Sequence, residues 1–543
     1  MSDTKHVDAV IVGAGFSGMY MLYRLRKLGM TSIIYEAGSE VGGTWFWNRY
    51  PGARCDVESM EYSYSFSPEL EQEWEWTERY PSQPEILRYA NHVADRFNLR
   101  PDIRFNTRVT SAVFDEEARR WQVETDGGDR VTARFCIMAT GCLSAPNMPH
   151  FEGLDDYEHD WYHTAIWPHE GVDFTGKRVG IIGTGSSAIQ SIPQIAKQAS
   201  HLYVFQRTPN FSMPAHNHDL TDDVQRAMKE RYQEHRRKAR ESAFGVPFEV
   251  TEISQKPALE VTAEERRQEL ERRWQTGGAT IIASFADVLT DQEANDLVAE
   301  FVRDRIRQVV DDPETAELLC PDDHPIGTKR PCVDIEYFET YNRDNVSLID
   351  VRSDPIRRIT PHGLRTGEAE YELDAIVFAT GFDAMTGALL RIDIQGKGGL
   401  TLKEKWEDVP RTYLGLAVSG FPNLFAITGP GSPSVLSNMM VSIEQHVEWV
   451  SDCMAYMKEH GFETIEPSAE AQDEWVEHVD VVGKSTLYPL ANSWYMGANI
   501  PGKPRVFTPY IGGVGNYRKT CDEIAEKGYE GFELERERIT AAS

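Results

Sequence analysis

Two glycine-rich turns, each between a predicted strand and a predicted helix, constrain the fold of this 543-residue chain more than any other feature. The first is Gly13-x-Gly15-x-x-Gly18, which follows an apolar run at residues 7–12 and opens a helical pattern that reaches Leu28. Glycine permits the tight turn and lets the backbone approach a pyrophosphate at the helix N-terminus. The pattern predicts a βαβ unit that binds a dinucleotide; the alternative is a tight structural turn.

The end of the next predicted strand indicates which dinucleotide the first turn binds. Residues 32–35 form that strand, and Glu36 follows it directly. A carboxylate about 20 residues beyond the first glycine is suited to hydrogen-bond a ribose hydroxyl. The first site is therefore expected to bind the adenosine part of FAD.

A second copy of the fingerprint, at residues 183–188, also follows a strand and opens a helix. The strand after it, at residues 201–205, has no acid at its end and is followed by Gln206 and Arg207. An arginine at this place can pair with a 2′-phosphate, which an acid would repel. The second site is therefore expected to bind NADPH; the alternative for Arg207 is a surface arginine at a strand end.

Other segments place these units in a larger architecture. Two further apolar strands end in Ala-Thr-Gly, in RFCIMATG and LDAIVFATGFD, and each is expected to cross near a cofactor. Another strand runs into a Gly/Pro-rich turn at residues 423–434, which is expected beside a flavin. Residues 221–319 have apolar residues at helical spacing among many charges, which predicts a helical insertion. Residues 437–460 are predicted to form one long helix with a buried apolar stripe.

These patterns predict an α/β fold with two Rossmann-like dinucleotide-binding domains, for FAD and NADPH, and a helical insertion. The predicted segments are residues 1–145 and 386–543 for the FAD-binding domain, 146–215 and 331–385 for the NADPH-binding domain, and 216–330 for the insertion.

Composition limits the kinds of partner. The formal net charge is -30, which disfavours binding to nucleic acid or anionic membrane and suits a monomer or weak dimer. The seven cysteines are dispersed and include no C-x-x-C, so reduced thiols in a cytoplasmic protein are expected and a dithiol flavin reductase is disfavoured. No signal-peptide pattern begins the chain, and no apolar run approaches the ~18 residues of a membrane span.

The segment His159-Asp160-Trp-Tyr-His163 nearly matches the H-E-x-x-H motif of zinc hydrolases. Asp is shorter than the glutamate base of that motif, and no third ligand follows at a typical spacing. Because the segment lies between the two fingerprints, we expect it to connect two domains, and no metal site is predicted.

Several motifs in order resemble the type I flavin-dependent Baeyer–Villiger monooxygenases, most closely the phenylacetone and cyclohexanone monooxygenase branch. One family pattern matches GGTWFWNRYPGARCD at residues 42–56, and the likeness continues in GTKRPCVDIEYFETYNRDNV, ATGFDAMTGAL and SWYMGANIPGK, essentially along the full chain. A second family pattern, in which His159 replaces the usual glycine, maps onto Tyr157, His159, His163, Trp167 and Pro168. Glycine readily adopts a positive φ that histidine rarely adopts, so this replacement bears on the local backbone.

The resemblance implies roles for individual residues. Arg330 would lie at the flavin and nicotinamide and stabilise a flavin C4a-peroxide and the ketone adduct, and Asp56 would hold Arg330 in position. Lys329 would reach the 2′-phosphate together with Arg207 and Thr208. The catalytic candidates are Arg330 and Asp56, and the cofactor-binding candidates are Gly13, Gly15, Gly18, Glu36, Thr44, Trp45, Tyr50, Asp56, Gly183, Gly185, Ser186, Arg207, Thr208, Lys329 and Trp494.

Other interpretations of these residues stay open. Trp494 would donate its indole N–H to the nicotinamide ribose, or else anchor a core. Trp45 and Tyr50 would pack along the flavin, or serve packing alone. A surface arginine and a turn or cap aspartate are the alternatives for Arg330 and Asp56. The resemblance gives His163 a structural or conformational role rather than an acid–base role.

The expected activity is NADPH- and O₂-dependent oxidation of ketones to esters or lactones. The loop GPGSPSVLSNM, at residues 429–439, resembles the phenylacetone type and favours linear or aryl-substituted ketones. The substrates expected overall are aryl, linear or small cyclic ketones. The alternative is a flavin-dependent N- or S-oxygenating enzyme, which shares both fingerprints, but the Arg330 motif and the block at residues 42–56 speak against it. A noncatalytic redox sensor would be expected to lack Arg330 or Asp56, and a simple dehydrogenase leaves the first fingerprint unexplained.

Overall fold

Two β-sheets, each assembled from separated parts of the chain, organise the fold. The computed structural model describes residues 5–247 and 253–536. Each of the two sheets contains one of the glycine fingerprints at the end of a central strand. This arrangement confirms the predicted α/β class with two Rossmann-like units.

The first sheet has eight strands and contains the first fingerprint. Lys5–Val12 runs parallel to both of its neighbours, whereas Arg120–Thr125 runs antiparallel to the strands beside it. The hydrogen-bonded order is Asp393–Gln395, Val109–Asp115, Arg120–Thr125, Arg130–Met138, Lys5–Val12, Ser32–Tyr35 and Ile103–Arg104, and Leu424–Ala426 also pairs with Arg130–Met138. The beginning of the chain and residues after 393 therefore share one sheet.

The second sheet has five strands, all parallel, and contains the second fingerprint. The order is Val346–Asp350, His201–Gln206, Arg178–Ile182, Ala375–Phe378 and Asp160–His163. Because the strands are parallel, their carboxyl ends meet at one edge, where open α/β sheets bind ligands.

Three smaller sheets complete the described β-structure. They are Arg358–Thr360 with Gly363–Arg365 and Glu370–Glu372, Ser212–Pro214 with Cys332–Asp334, and Phe462–Pro467 with Phe532–Arg536. The described α-helices are Phe16–Lys27, Thr44–Trp47, Pro68–Glu73, Gln83–Arg96, Ser186–Ala196, Asp222–Glu230, Tyr232–Glu241, Ala263–Thr276, Gln292–Val309, Pro313–Leu319, Gly387–Leu390, Leu402–Lys405, Met439–His460, Ala469–Lys484 and Val514–Glu526.

The long helix Met439–His460 shows why these sequences form these elements. Asn438 precedes it, and the Asn438 side chain accepts a hydrogen bond from the backbone N–H of Met440 at 3.1 Å, which caps the helix. Gly461 ends it in the left-handed conformation at φ 68°. The apolar stripe is buried in the core around the first sheet, as predicted, and the helix begins two residues later than predicted because Asn438 is the cap.

The helices after residue 221 divide between the two sheets. Leu270 and Val302 lie in the same apolar cluster as Val204 of the second sheet. Tyr232 instead belongs to the cluster that contains Ile11 of the first sheet. This helical segment therefore packs across both sheets and shares its cores with them.

All seven cysteines are buried and unpaired. In the described part of the chain, none of the helices combines the length and apolarity needed to span a bilayer.

Candidate active site

The first glycine turn packs directly onto the Ala-Thr-Gly turn that follows Arg130–Met138. Gly13 has φ 105°, and a Cβ at this position would lie 2.5 Å from the carbonyl oxygen of Ala139. A Cβ on Gly18 would lie 1.9 Å from the carbonyl oxygen of Gly13, so the helix approaches the turn as closely as glycine permits. Both predicted glycines are therefore required by the backbone itself.

Glu36 closes this site at the end of its strand and is almost fully buried. Its Oε2 accepts a hydrogen bond from the backbone N–H of Ala14 at 2.7 Å, and its Oε1 accepts one from Gly38 at 2.7 Å. Burial raises the pKa of Glu36, the two backbone N–H groups lower it, and the net shift is upward. Each carboxylate oxygen keeps a lone pair for a ribose hydroxyl, which fits the adenosine part of FAD.

The Gly-Gly loop of the block at residues 42–56 lies against the first glycine turn. A Cβ on Gly43 would lie 2.9 Å from the Cα of Gly15, and Gly43 has φ 52°. Thr44 begins the short helix Thr44–Trp47 directly after it. Two backbone segments without side chains therefore face each other, which leaves a narrow cradle suited to a diphosphate.

The second glycine turn repeats the first one at the other sheet. Gly183 has φ 115°, and a Cβ there would lie 2.6 Å from the carbonyl oxygen of Ala379, in the second Ala-Thr-Gly turn. Gly185 faces open space, since a Cβ there would meet no heavy atom within 4 Å. Ser186 begins the helix Ser186–Ala196, and its Oγ lies 3.1 Å from Sγ of Cys332. The open space at the helix N-terminus fits the pyrophosphate of a second dinucleotide.

A cationic cluster marks the far end of this second site. Arg207 is exposed and forms no salt bridge with any residue that the structure describes. The backbone carbonyl of Thr208 accepts a hydrogen bond from Oγ1 of Thr184 at 2.7 Å, which ties the strand end to the glycine turn. Lys329 lies nearby, and its ammonium contacts Asp323. A free guanidinium and a second cation fit a 2′-phosphate.

Arg330 lies beside Asp56, and the two residues are brought together from distant parts of the chain. Arg330 Nε donates to Oδ2 of Asp56 at 2.9 Å, and Arg330 Nη1 donates to the carbonyl oxygen of Val435 at 3.0 Å. About a third of the Arg330 side chain stays exposed. The guanidinium is thus held at two points while part of its surface remains free for a ligand.

Neighbouring groups determine the charge state of Arg330. Burial lowers the pKa of Arg330, but the Asp56 carboxylate and the Tyr495 hydroxyl raise it, and the net shift is upward. Burial also raises the pKa of Tyr495 to about 12, while Arg330 lowers it. Arg330 is therefore a permanent cation beside a neutral phenol.

The predicted aromatic residues have different surroundings. The buried Trp45 donates its indole N–H to the hydroxyl of Tyr62 at 3.1 Å. Tyr50 donates to Oε1 of Gln190, on the helix of the second fingerprint, at 2.9 Å and therefore lies where the two sheets meet. The ring of Trp494 lies 4.1 Å from that of Tyr495, and its indole N–H has no acceptor among the described residues, which leaves it available to a ligand.

The segment that resembled a zinc motif is a β-strand at the edge of the second sheet. The buried His163 places Nε2 3.1 Å from Oγ1 of Thr380 and 3.3 Å from the carbonyl oxygen of Asn147. His159 is exposed and is not among the described residues with positive φ, so the backbone here does not require the glycine of the family pattern. His163 therefore joins the linker to the second Ala-Thr-Gly turn. In the described ranges, no group of three or more His, Cys, Asp or Glu side chains is arranged to hold a metal.

Sequence reasoning missed three contacts at this site. They are the carbonyl of Val435 that holds Arg330, the hydroxyl of Tyr495 beside it, and the amide of Gln190 that pairs with Tyr50. Val435 has φ 65°, an unusual conformation for a β-branched residue, and it directly follows the turn at residues 423–434 that was expected beside a flavin, within the loop at residues 429–439. That loop was the available signal, whereas a backbone acceptor has no signature in a sequence.

Comparisons with known proteins agree with this geometry. A family model described as "Pyridine nucleotide-disulphide oxidoreductase" matches residues 10–295. The chain is 44% identical over 534 residues to a Baeyer–Villiger monooxygenase from Pseudooceanicola batsensis, a match that covers 97% of this chain and 96% of that protein. A relative with another named activity, the phenazine N-monooxygenase PhzNO1 of Lysobacter antibioticus, is 40% identical. That match covers 98% of this chain and 98% of that protein.

Solved structures resemble the chain over its length. Oxidized steroid monooxygenase bound to NADP is 55% identical, with a TM-score of 0.93 and coverage of 98% of this chain and 100% of that one. OTEMO in complex with FAD and NADP is 42% identical, with a TM-score of 0.94 and the same coverage. With 44% identity to a Baeyer–Villiger monooxygenase over nearly the full length, and with two dinucleotide turns in its fold, this chain belongs to the Baeyer–Villiger monooxygenases.

Proposed function

We propose that this chain uses NADPH and O₂ to oxidise ketones to esters or lactones, with FAD as its redox cofactor. The observation that carries the proposal is the position of Arg330, which Asp56 and the Val435 carbonyl hold near the meeting point of the two sheets. Names of relatives over the full length, including one that forms methyl acetate from acetone, support this class of reaction.

FAD is assigned to the first glycine turn and NADPH to the second. Glu36 would accept the ribose hydroxyls of FAD, and the backbone of the turn and of the Gly-Gly loop would hold its diphosphate. Arg207, Thr208 and Lys329 would hold the 2′-phosphate of NADPH. Bound FAD would supply the redox chemistry, since it can accept hydride from NADPH and activate dioxygen.

The protein supplies a fixed positive charge where negative charge develops on the reacting oxygen atoms. Arg330 stays protonated and presents a planar set of donors, of which Asp56 and Val435 occupy two. Its remaining N–H groups are available to oxygen atoms of the substrate and its adduct. Asp56 prevents the guanidinium from turning away, so Asp56 is a positioning residue and Arg330 is the catalytic residue.

Other residues would hold the nicotinamide cofactor over the reacting centre. The free indole N–H of Trp494 is proposed to donate to the nicotinamide ribose. Trp45 and Tyr50 support the cradle through Tyr62 and Gln190. A cofactor retained in this position would exclude water from the reacting oxygen atoms.

The substrate range is proposed from the loop at residues 429–439. This loop carries Val435, whose carbonyl holds Arg330, so its conformation and the position of the catalytic cation are coupled. Its sequence resembles the phenylacetone type, which favours linear or aryl-substituted ketones, and small cyclic ketones complete the proposed range.

N- or S-oxygenation is a second candidate function, since a relative of 40% identity is named an N-monooxygenase. Such a reaction transfers an oxygen atom to a nucleophilic nitrogen or sulfur. The Asp56–Arg330 pair favours the ketone reaction, because an electrophilic carbonyl that gains negative charge benefits more from a fixed cation.

The domain division and the surroundings of the protein are also proposals. FAD-binding residues 1–145 and 386–543, NADPH-binding residues 146–215 and 331–385, and the helices between them are consistent with the strands of each sheet. The charge of -30 supports a monomer or weak dimer that does not bind nucleic acid or membrane, and the dispersed cysteines support a cytoplasmic location.

The test uses purified protein, NADPH, ¹⁸O-labelled dioxygen and a panel of aryl, linear and cyclic ketones, with sulfides and amines as a second panel. We expect one labelled oxygen atom in an ester or lactone, detected by mass spectrometry. NADPH consumption with labelled sulfoxide or N-oxide and no ester would instead establish the second candidate function.

A further inference from the structure

An acidic side chain lies inside the cationic cluster proposed to hold the 2′-phosphate. Lys329 Nζ lies 3.5 Å from Oδ2 of Asp323, and only 15% of the Lys329 side chain is exposed. Burial and the charge of Arg207 lower the pKa of Lys329, whereas Asp323 raises it. A carboxylate at this place is unexpected, because it repels the phosphate that the two cations attract.

Asp323 is held in place on its other side. Its Oδ1 accepts a hydrogen bond from Nδ1 of His324 at 2.6 Å. The His324 side chain is buried and packs edge-on against Phe211, with ring centroids 5.4 Å apart. Burial raises the pKa of Asp323, but the hydrogen bond from His324 and the charge of Lys329 lower it, and the net shift is downward. Asp323 is therefore an ionised group that cannot turn away from Lys329.

We infer that Asp323 positions Lys329 and limits the affinity of this site for a 2′-phosphate, which makes it a residue that sets the discrimination between NADPH and NADH. The inference rests on the proposed NADPH function. In the free protein, Asp323 balances the charge of an ammonium group that is largely buried. When the phosphate binds, Lys329 divides its N–H donors between the phosphate and Asp323, which weakens the hold on the phosphate.

The test measures binding to the FAD-loaded protein by isothermal titration calorimetry. The probes are 2′,5′-ADP, which carries the 2′-phosphate, and ADP, which does not. For Asp323→Asn we expect roughly two- to fivefold tighter binding of 2′,5′-ADP, the range typical of ion pairs at partly exposed sites. Binding of ADP should stay unchanged, and the gain should shrink at high salt.

A neighbouring acid provides a matched control. Asp322 pairs with Arg352 at 3.0 Å, and among the described residues it forms no ion pair or hydrogen bond with Lys329. Asp322→Asn removes the same charge one residue away and should leave the affinity for 2′,5′-ADP within error of the parent. Melting temperature and FAD content show that each variant is folded, and Asp323→Ser repeats the test with a smaller side chain.

A double variant separates positioning from a general charge effect. In the Lys329→Met background, Asp323→Asn should tighten binding of 2′,5′-ADP clearly less than in the parent, because the shared partner is absent and only the direct repulsion between carboxylate and phosphate is removed. An equal gain in that background, or unchanged or weaker binding in Asp323→Asn alone, would overturn the inference while leaving the NADPH function intact. Failure of the parent protein to bind 2′,5′-ADP more tightly than ADP would overturn both.

Discussion

The two glycine turns share one backbone geometry and differ at their polar ends. In both turns the first glycine has a positive φ and lies against the carbonyl of an Ala-Thr-Gly turn, at Ala139 in one and Ala379 in the other. The first turn ends at the buried Glu36, whereas the second ends at the exposed Arg207. The shared turn geometry fits a diphosphate, and we propose that the residue at the strand end selects which dinucleotide binds.

The third position of the fingerprint is a second difference. Gly18 leaves no space for a Cβ, while the second turn carries the buried Ala188 at the same position. At this position the second turn therefore accommodates a methyl group, which the first turn excludes. The first site is the more tightly closed of the two, and substitutions there should have the larger effects.

Substitutions at this third position, Gly18→Ala in the first turn and Ala188→Gly in the second, should produce the largest effect. In Gly18→Ala the new Cβ would lie 1.9 Å from the Gly13 carbonyl oxygen, so the helix must move away from the turn. We expect purified protein with little or no FAD, measured as flavin absorbance per chain. In Ala188→Gly nothing clashes, and the expected cost is about 1 kcal/mol of unfolding free energy, with NADPH binding retained. Equal FAD content in the two variants would contradict the conclusion that the first turn, unlike the second, leaves no space for a side chain at this position.

Substitution of Arg330, which belongs to neither turn, should give the next largest effect. Arg330→Ala removes the fixed cation, and ester formation should fall by roughly 10²–10³-fold, as for loss of an oxyanion-stabilising donor. FAD content and NADP⁺ binding should change little, because neither glycine turn is altered. Arg330→Lys retains a charge but cannot contact Asp56 and Val435 together, so its rate should lie between the rates of the parent and of Arg330→Ala. Turnover of Arg330→Ala at the parent rate would refute its catalytic role.

Arg207→Ala tests the cationic end of the second turn. Loss of one charge-assisted contact should raise the KM for NADPH by about tenfold or more and leave the KM for NADH unchanged. FAD content should be unaffected, since Arg207 lies at the other site. Arg352→Ala is a suitable control, because Arg352 is a nearby surface arginine that pairs with Asp322. An equal rise of the KM in both variants would indicate a general charge effect rather than a 2′-phosphate contact.

Glu36→Gln tests the acidic end of the first turn and should have the smallest effect, a several-fold loss of FAD affinity at neutral pH.

The pKa of Glu36 is raised in the folded protein, so FAD affinity of the parent should fall as pH decreases through that raised value. The stability of the FAD-free parent should show the opposite trend and decrease as pH rises above the unfolded pKa, because the folded state binds the proton more tightly. Both pH dependences should be weaker in Glu36→Gln, as measured by fluorescence of released FAD and by thermal melting.

Much of the architecture around the turns could be predicted from local patterns. Ser32–Tyr35 matches the predicted strand, and His201–Gln206 extends the predicted one by a single residue. The predicted long helix was correct except for its start, where the side chain of Asn438 caps it. These elements can be predicted from the sequence because burial of one face requires a regular spacing of apolar residues.

The partners of the site residues could not be predicted in this way. The pairing of Asp56 with Arg330 was expected from the family resemblance alone, and the carbonyl of Val435 was not expected. Asp323 was missed because nothing near it in the sequence distinguishes it from the acid before it. Similarly, the helical insertion was predicted from the spacing of apolar residues after residue 221, but its packing into the cores of both sheets was not.

The sequence by itself determined two strand–glycine–helix units and the charge at the end of each. These features are local, since a turn that excludes a Cβ demands glycine and a strand end exposes the next side chain to its ligand. Only the tertiary structure decided that Arg330 contacts both Asp56 and Val435 and that Lys329 forms an ion pair with Asp323. The physical reason is that such pairs depend on how distant segments pack where the two sheets meet, and no local pattern specifies that packing.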